Sequence, residues 1–208
     1  MKEGKSMPNH TIFNERPESQ DRALKVIEKL GYTIVPRSEA EKKRGSRRAV
    51  LFTEELQSFL SHQTYQFGTE ERYFSGGSIA KAMQTVDQFS VAGLYAENKA
   101  IYELLCAGKS MEEDLPDGTR QSFDLSFIDF EHPENNTFQV TDEFEVERPN
   151  GKFARPDIVV LVNGIPLVVI ECKKSSVDVM EGVNQNIRNW GEEYIPHLFR
   201  YTQLVLAM

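Results

Sequence analysis

The stretch from Ile158 to Ile170, IVVLVNGIPLVVI, has the least conformational freedom in the 208-residue chain. It is an almost unbroken run of Val, Ile and Leu, interrupted only by Asn163-Gly164 and Pro166. Runs of this kind read as strands buried on both faces, and Asn-Gly between two of them predicts a hairpin. An acid stands at each outer end, Asp157 and Glu171, with Lys173 two residues further on. An unpaired charge in such a setting costs on the order of several kcal/mol. Something must compensate these charges.

Strand geometry narrows what that is. Alternate residues face the same side, so Glu171 and Lys173 share a face and Cys172 points to the other. In a hairpin turning on Asn163-Gly164-Ile165, Asp157 lies directly across from Glu171, and two carboxylates and an ammonium converge. A strict two-residue Asn-Gly turn sends the acids to opposite faces, so their meeting requires an odd loop or a bulge. Pro166 is expected at the first position of its strand, where a missing donor is harmless. If the acids meet, one lysine neutralises only part of their charge, and a divalent hard cation resolves the conflict. Magnesium favours a few carboxylate, carbonyl and water oxygens, polarises a phosphodiester and acidifies a bound water. Lys173 then orients that water or stabilises charge developing on the phosphate. The chemistry indicated is phosphodiester hydrolysis.

The rest of the chain sets the frame. Helices are predicted over 19–30, with Ser19 as cap and Gly31 as stop, and over 53–62, 76–89, 94–107 and 177–198. Tyr32 to Val35 reads as a short strand. After Asp117-Gly118, the segments SFDLSFIDF, TFQVTDEFEV, DIVVLV, PLVVIECK and YTQLVLAM read as strands of a mixed, mainly antiparallel sheet. The expected fold class is α+β: a mainly helical part over 1–110 and a sheet-rich core over 111–208, with helices flanking the sheet. The abrupt stop after YTQLVLAM is read as the end of an N-terminal fragment of a larger protein. No run approaches the ~18 apolar residues of a membrane span, and the polar start MKEGKSMPNH lacks a signal-peptide apolar region, so no membrane partner and a cytoplasmic location are expected.

Cys106 and Cys172 read as reduced core thiols. The formal net charge of −8 argues against a free-standing nucleic-acid binder. The segment KKRGSRR, 42–48, is the local exception and the candidate contact to a phosphate backbone.

Pro156-Asp157, thirteen intervening residues and Glu171-Cys172-Lys173 resemble the PD-(D/E)xK nuclease signature. With FIDFEHPENNTFQVTDEF, Gln185, IPHLFRYTQLVL, the upstream AENKAIYELLCAG and the early LGY, nearly the whole chain resembles the N-terminal endonuclease domain of the type I restriction enzyme motor, or R, subunit. That resemblance implies a restriction-endonuclease-like fold and a magnesium-dependent DNA endonuclease acting on double-stranded DNA. It also implies partnership with methylation and specificity subunits, and ATP binding only in the full-length motor subunit. Carried onto this sequence, it makes Asp157 and Glu171 metal ligands, the Cys172 main-chain carbonyl a further ligand, Lys173 the catalytic lysine and Gln185 a catalytic-site residue. Two positions depart from the family pattern: Asn189, followed by Trp190, stands where a tyrosine is expected, and Gln20 where the first helix often carries an acid. Trp190 then either stacks on a base or packs on the core.

Other features are read as structural. AGKS at 107–110 lacks the glycine and the preceding strand of a phosphate-binding loop. His10, His62, His132 and His197 have no ligand spacing, Asn135-Asn136 marks a turn, and Asp129 and Glu131 are exposed strand-end acids. Two other functions fit the sequence: a free-standing repair or modification-dependent nuclease of the same fold, and a catalytically silent assembly domain.

Overall fold

The computed structural model describes residues 18–88, 92–174 and 176–208; His10 and the polar start fall outside them. The elements, in chain order, are α1 (Glu18–Lys29), β1 (Thr33–Ile34), α2 (Arg37–Arg44), α3 (Thr53–Ser61), β2 (Thr64–Phe67), β3 (Glu70–Tyr73), α4 (Gly76–Asp87), α5 (Leu94–Ala107), β4 (Lys109–Asp114), β5 (Arg120–Leu125), β6 (Phe138–Asp142), β7 (Val146–Glu147), β8 (Phe153–Ala154), β9 (Ile158–Val162), β10 (Ile165–Glu171), α6 (Val179–Asn189), α7 (Pro196–Phe199) and β11 (Leu204–Ala207). The fold is mixed α+β. A five-stranded sheet, ordered β1-β6-β9-β10-β11, is flanked by helices. Its two inner pairings are antiparallel and its two outer ones parallel.

The apolar run lies at the sheet's centre and is buried on both faces, as its composition requires. Val159, Leu161, Ile165 and Val169 join the main core with residues of α3, α4, α5 and α7. Ile158, Val160, Ile170 and Cys172 face the other way, into a smaller cluster with Ala23 and Leu24 of α1 and Val140 of β6. Between the strands Asn163 and Gly164 both have positive φ, 50° and 79°, the backbone of a type I′ turn. The fully buried Asn163 side chain accepts from the Thr137 N–H (2.8 Å) and donates to the Phe127 carbonyl (3.0 Å) and Asn136 Oδ1 (2.8 Å). The Gly164 carbonyl accepts from the Phe52 N–H at 2.9 Å, just ahead of α3. The turn is therefore locked from both sides.

Several sequence expectations need correction. The predicted helix over 177–198 is two helices, α6 and the short α7, broken where the chain turns at Gly191 and Tyr194 bonds back to it. SFDLSFIDF does not extend the main sheet: β5 pairs only with β4, in a separate hairpin, and β2–β3 form another. Helix α2 and the β2–β3 hairpin carried no strong pattern in the sequence. Cys106 is exposed on α5 and is not a core thiol, whereas Cys172 is buried. KKRGSRR is only partly a loop, since Lys42, Lys43 and Arg44 close α2 before Gly45 turns the chain at φ 68°. Nor are its cations an open phosphate-binding set. Lys43 pairs with Glu55, Arg47 with Glu145 at 2.6 Å and Arg48 with Glu147 at 2.9 Å. Arg44 is buried, donating to the Ala49 and Glu145 carbonyls with its guanidinium 3.9 Å from the Phe144 ring centre. No helix among the described residues is long and apolar enough to cross a membrane.

Candidate active site

The turn is a strict two-residue one, and in its register alone Asp157 and Glu171 would face opposite sides. A bulge changes that. Ile165 pairs with Val162 and Pro166 with Leu161, but the next pair is Val168 with Val160, so Leu167 is an extra residue and the register moves by one. Pro166 sits at this bulge, as the second residue of β10, where its missing N–H costs no ladder bond. Beyond it Val169 pairs with Val159 and Ile170 with Ile158. The next residues outward, Asp157 and Glu171, thereby come to one side at the end of the hairpin.

Their surroundings are dense. Glu171 is fully buried. Its Oε2 accepts from Gln185 Nε2 at 2.6 Å, and Gln185 Oε1 accepts from Lys173 Nζ, also at 2.6 Å. The glutamine thus links acid and lysine through its amide. Asp157 Oδ2 accepts from the Cys172 N–H at 2.7 Å. Beyond Glu171 the chain leaves the ladder, yet the Lys173 N–H still donates to the Met208 carbonyl, continuing from β11 (2.7 Å). The structure therefore brings together Asp157, Glu171, Lys173 and Gln185, with the main chain of Cys172 between them.

Helix α6 makes room for this by turning its small, polar side inward. Its buried residues are Gly182, Asn186 and Asn189, while Val179, Met180 and Ile187 are exposed. A Cβ on Gly182 would stand 3.1 Å from Ala207 Cβ, 3.5 Å from Lys173 Cε and 3.6 Å from Glu171 Cβ. Glycine lets the helix lie close enough for Gln185 to reach both partners. Asn186 Nδ2 donates to the Leu206 carbonyl at 3.3 Å. Asn189, at the position of the expected tyrosine, is buried; Trp190 is exposed, its ring edge toward Phe199 at 6.3 Å between centres.

Burial and, next, the neighbouring Asp157 charge push the Glu171 carboxyl up to about 8. At neutral pH the metal-free acid holds its proton. The Cys172 thiol is pushed up to about 12, by burial first and then by the two acids, so it is no nucleophile at physiological pH. Glu171 Oε1 is buried and accepts no hydrogen bond, and the Asp157 carboxyl beside it is the partner for the Glu171 proton. A buried carboxylate oxygen beside a second acid is the donor chemistry that fits a hard cation. Among the described residues no three His, Cys, Asp and Glu side chains converge in a way that could hold a metal ion. An ion here would draw on two carboxylates, main chain and water.

Residues 12–208 match the model of the type I restriction enzyme R protein N terminus. The chain belongs to this family. Over 203 residues, 94% of the chain, it is 27% identical to the type I restriction enzyme HindI endonuclease subunit of Haemophilus influenzae, covering 18% of that subunit. It is 42% identical over 82 residues, 39% of the chain and 8% of the relative, to the SsaAORF53P endonuclease subunit of Staphylococcus saprophyticus. The SauCOLORF180P endonuclease subunit of Staphylococcus aureus is 33% identical over 113 residues, 53% of the chain and 11% of the relative. The chain thus spans under a fifth of the length of these relatives. Membership of the R-protein N-terminus family suggests a divalent metal cofactor.

Sequence reasoning missed two residues at this site. Ser19, read as a helix cap, lies inside α1, and its Oγ donates to the Lys173 carbonyl at 2.8 Å. Gln20, noted only as a missing acid, is fully buried, and its Nε2 donates to the Asp157 carbonyl at 3.1 Å. Asp129 and Glu131 stay apart from the site. Asp129 accepts from the His132 N–H and Asn135 Nδ2, which fixes its own loop and holds its carboxyl low.

Proposed function

We propose that the chain is the magnesium-dependent DNA endonuclease module of a type I restriction enzyme motor subunit. Asp157, Glu171 and the Cys172 carbonyl hold the ion, and Lys173 is the catalytic lysine. The observation that carries this reading is the fully buried Glu171, one oxygen set beside Asp157 and accepting no hydrogen bond, the other tied through Gln185 to Lys173. A structural ion pair would place acid and lysine in direct contact. Here the lysine is held near the acid and kept off it, which leaves its charge for a phosphate.

Charge balance supports the same reading. Two ionised carboxylates and one ammonium leave the site at −1, which it relieves by protonating Glu171. With a divalent ion held by Asp157 and Glu171 in place of that proton, the site would stand at +1, matched to one phosphodiester. Once bound, the ion supplies charge neutralisation at the phosphate and an acidified water. Asp157 and Glu171 fix its position, Lys173 Nζ faces charge developing on the phosphate, and the Gln185 amide orients the lysine while holding Glu171. ATP binding belongs to the remainder of the motor subunit, and methylation and specificity subunits complete the complex. With Lys43, Arg44, Arg47 and Arg48 engaged within the chain, tight duplex binding falls to those other parts.

The test is plasmid cleavage by the complete subunit in the assembled complex, with magnesium and ATP. Lys173→Ala should reduce cleavage by several orders of magnitude while metal binding by the chain survives. Wild-type cleavage by the Lys173→Ala complex would refute the assignment.

A further inference from the structure

Helix α1 lies against the opposite face of the sheet from α6, yet two consecutive residues of its first turns reach both halves of the site. Ser19 Oγ donates to the Lys173 carbonyl at 2.8 Å, and Gln20 Nε2 donates to the Asp157 carbonyl at 3.1 Å. Both acceptors lie at the ends of the central strands. Asp157 precedes β9 and Lys173 follows β10, beyond the last β9–β10 pair, Ile158 with Ile170. Lys173 has its N–H on Met208, and among the described residues it is Ser19 that secures its carbonyl. The Asp157 carbonyl also accepts from the N–H of Glu143, a non-glycine residue at φ 50°. A residue in that conformation is strained and persists only where its surroundings hold it, so Gln20 is the unstrained half of the pair. Gln20 is itself fully buried at a cost that packing alone does not justify.

We propose that Ser19 and Gln20 form a positioning clamp: Gln20 sets the main chain that carries Asp157, Ser19 sets the one that carries Lys173, and together they fix how far apart the metal-holding and cation-bearing parts of the site stand. The inference rests on the nuclease reading for its consequence and on the two hydrogen bonds for its existence. It assigns the first turns of α1 a role in the chemistry that needs no carboxylate at position 20. The two residues divide the work: Gln20 governs metal affinity through Asp157, and Ser19 governs turnover through Lys173.

The test compares Ser19→Ala, Ser19→Thr and Gln20→Met with wild type by three measurements. The first is amide hydrogen exchange of the metal-free chain at the Cys172 N–H, bonded to Asp157, and the Lys173 N–H, bonded to Met208. Gln20→Met should speed exchange at Cys172, and Ser19→Ala at Lys173, by about tenfold or more, with Val169 in the strand interior unchanged. The second is binding of manganese alone: Gln20→Met should weaken it by about tenfold, Ser19→Ala by less than about twofold. The third is cleavage by the assembled complex, where Ser19→Ala should lower kcat at unchanged KM and Ser19→Thr, which keeps the hydroxyl, should restore it. Unchanged exchange at both amides overturns the clamp whether or not metal binds. Faster exchange at Cys172, Lys173 and Val169 together also overturns it, because the residues would then be supporting the fold as a whole. Local loosening with unchanged manganese affinity and unchanged kcat would show a tether with no bearing on the site, again against the proposal. If wild type binds no manganese the nuclease reading fails, and the exchange data alone then decide whether the clamp exists.

Discussion

Replacing Glu171 with glutamine removes one ionisable group from the metal-free site and leaves its shape nearly intact. In the folded chain burial and Asp157 raise this carboxyl to about 8, while in the unfolded chain it titrates near the ordinary glutamate value of about 4.5. Between those values the folded state binds one more proton than the unfolded state, so stability falls as pH rises. The contribution is fully present below about pH 4.5 and is lost as pH climbs through about 8. From pH 5 to pH 8 the loss from this group amounts to roughly 3 kcal/mol, equivalent to about 6–12 °C in Tm for a chain of this size. Glu171→Gln should erase that slope: the variant should melt close to wild type at pH 5 and higher at pH 8, both without metal. Thermal melts from pH 5 to pH 8 in a chelating buffer read this directly. Magnesium at pH 8 should then stabilise wild type, where Glu171 ionises to receive it, and leave the variant unmoved. Parallel pH profiles for the two proteins would refute the claim that Glu171 is held protonated beside Asp157.

Three further outcomes follow from the packing. Arg44→Ala strips the buried donor from the Ala49 and Glu145 carbonyls and leaves Phe144 uncovered, at a cost of about 3 kcal/mol, and Arg44→Lys should recover little because an ammonium cannot reproduce the fork; denaturant melts measure both. Gly164→Ala places a Cβ 2.3 Å from the Phe52 carbonyl oxygen at a residue with φ 79°, so it should destabilise by about 3 kcal/mol or more, and a Tm within about 1 °C of wild type would contradict the locked turn. Changing Lys42, Lys43, Arg44, Arg47 and Arg48 together to Ala should lower stability before it alters DNA affinity, since the acids facing them would lose their partners; melts run beside duplex-binding titrations separate the two effects.

The central hairpin was legible because its information is local. β-Branched runs, an Asn-Gly pair and two flanking acids need no partner to be recognised, and the family resemblance rested on the same residues. The bulge at Leu167 was not legible. Its position depends on Asn163 and Gly164 docking against Phe127, Asn136, Thr137 and Phe52, contacts between residues far apart in the chain. Parity alone left both registers open. The neutralisation of KKRGSRR by Glu145 and Glu147 is likewise long-range, so a basic run looked free that is not. Ser19 shows how a local rule misleads: a serine ahead of an apolar periodic segment reads as a cap, yet its hydroxyl bonds Lys173 across the sheet. Helix α6 combines an outward apolar side with an inward polar one, because what it covers is a polar site and not core.

The central claim is that Asp157 and Glu171 together hold a divalent ion. Anomalous diffraction from crystals of the chain soaked in manganese at pH 8 tests it most directly. The account predicts one strong peak within about 2.0–2.4 Å of a carboxylate oxygen from each acid, with Glu171 Oε1 as one of them and the Cys172 carbonyl as a further ligand. Full manganese occupancy elsewhere on the molecule, with none at Glu171 Oε1, would contradict it.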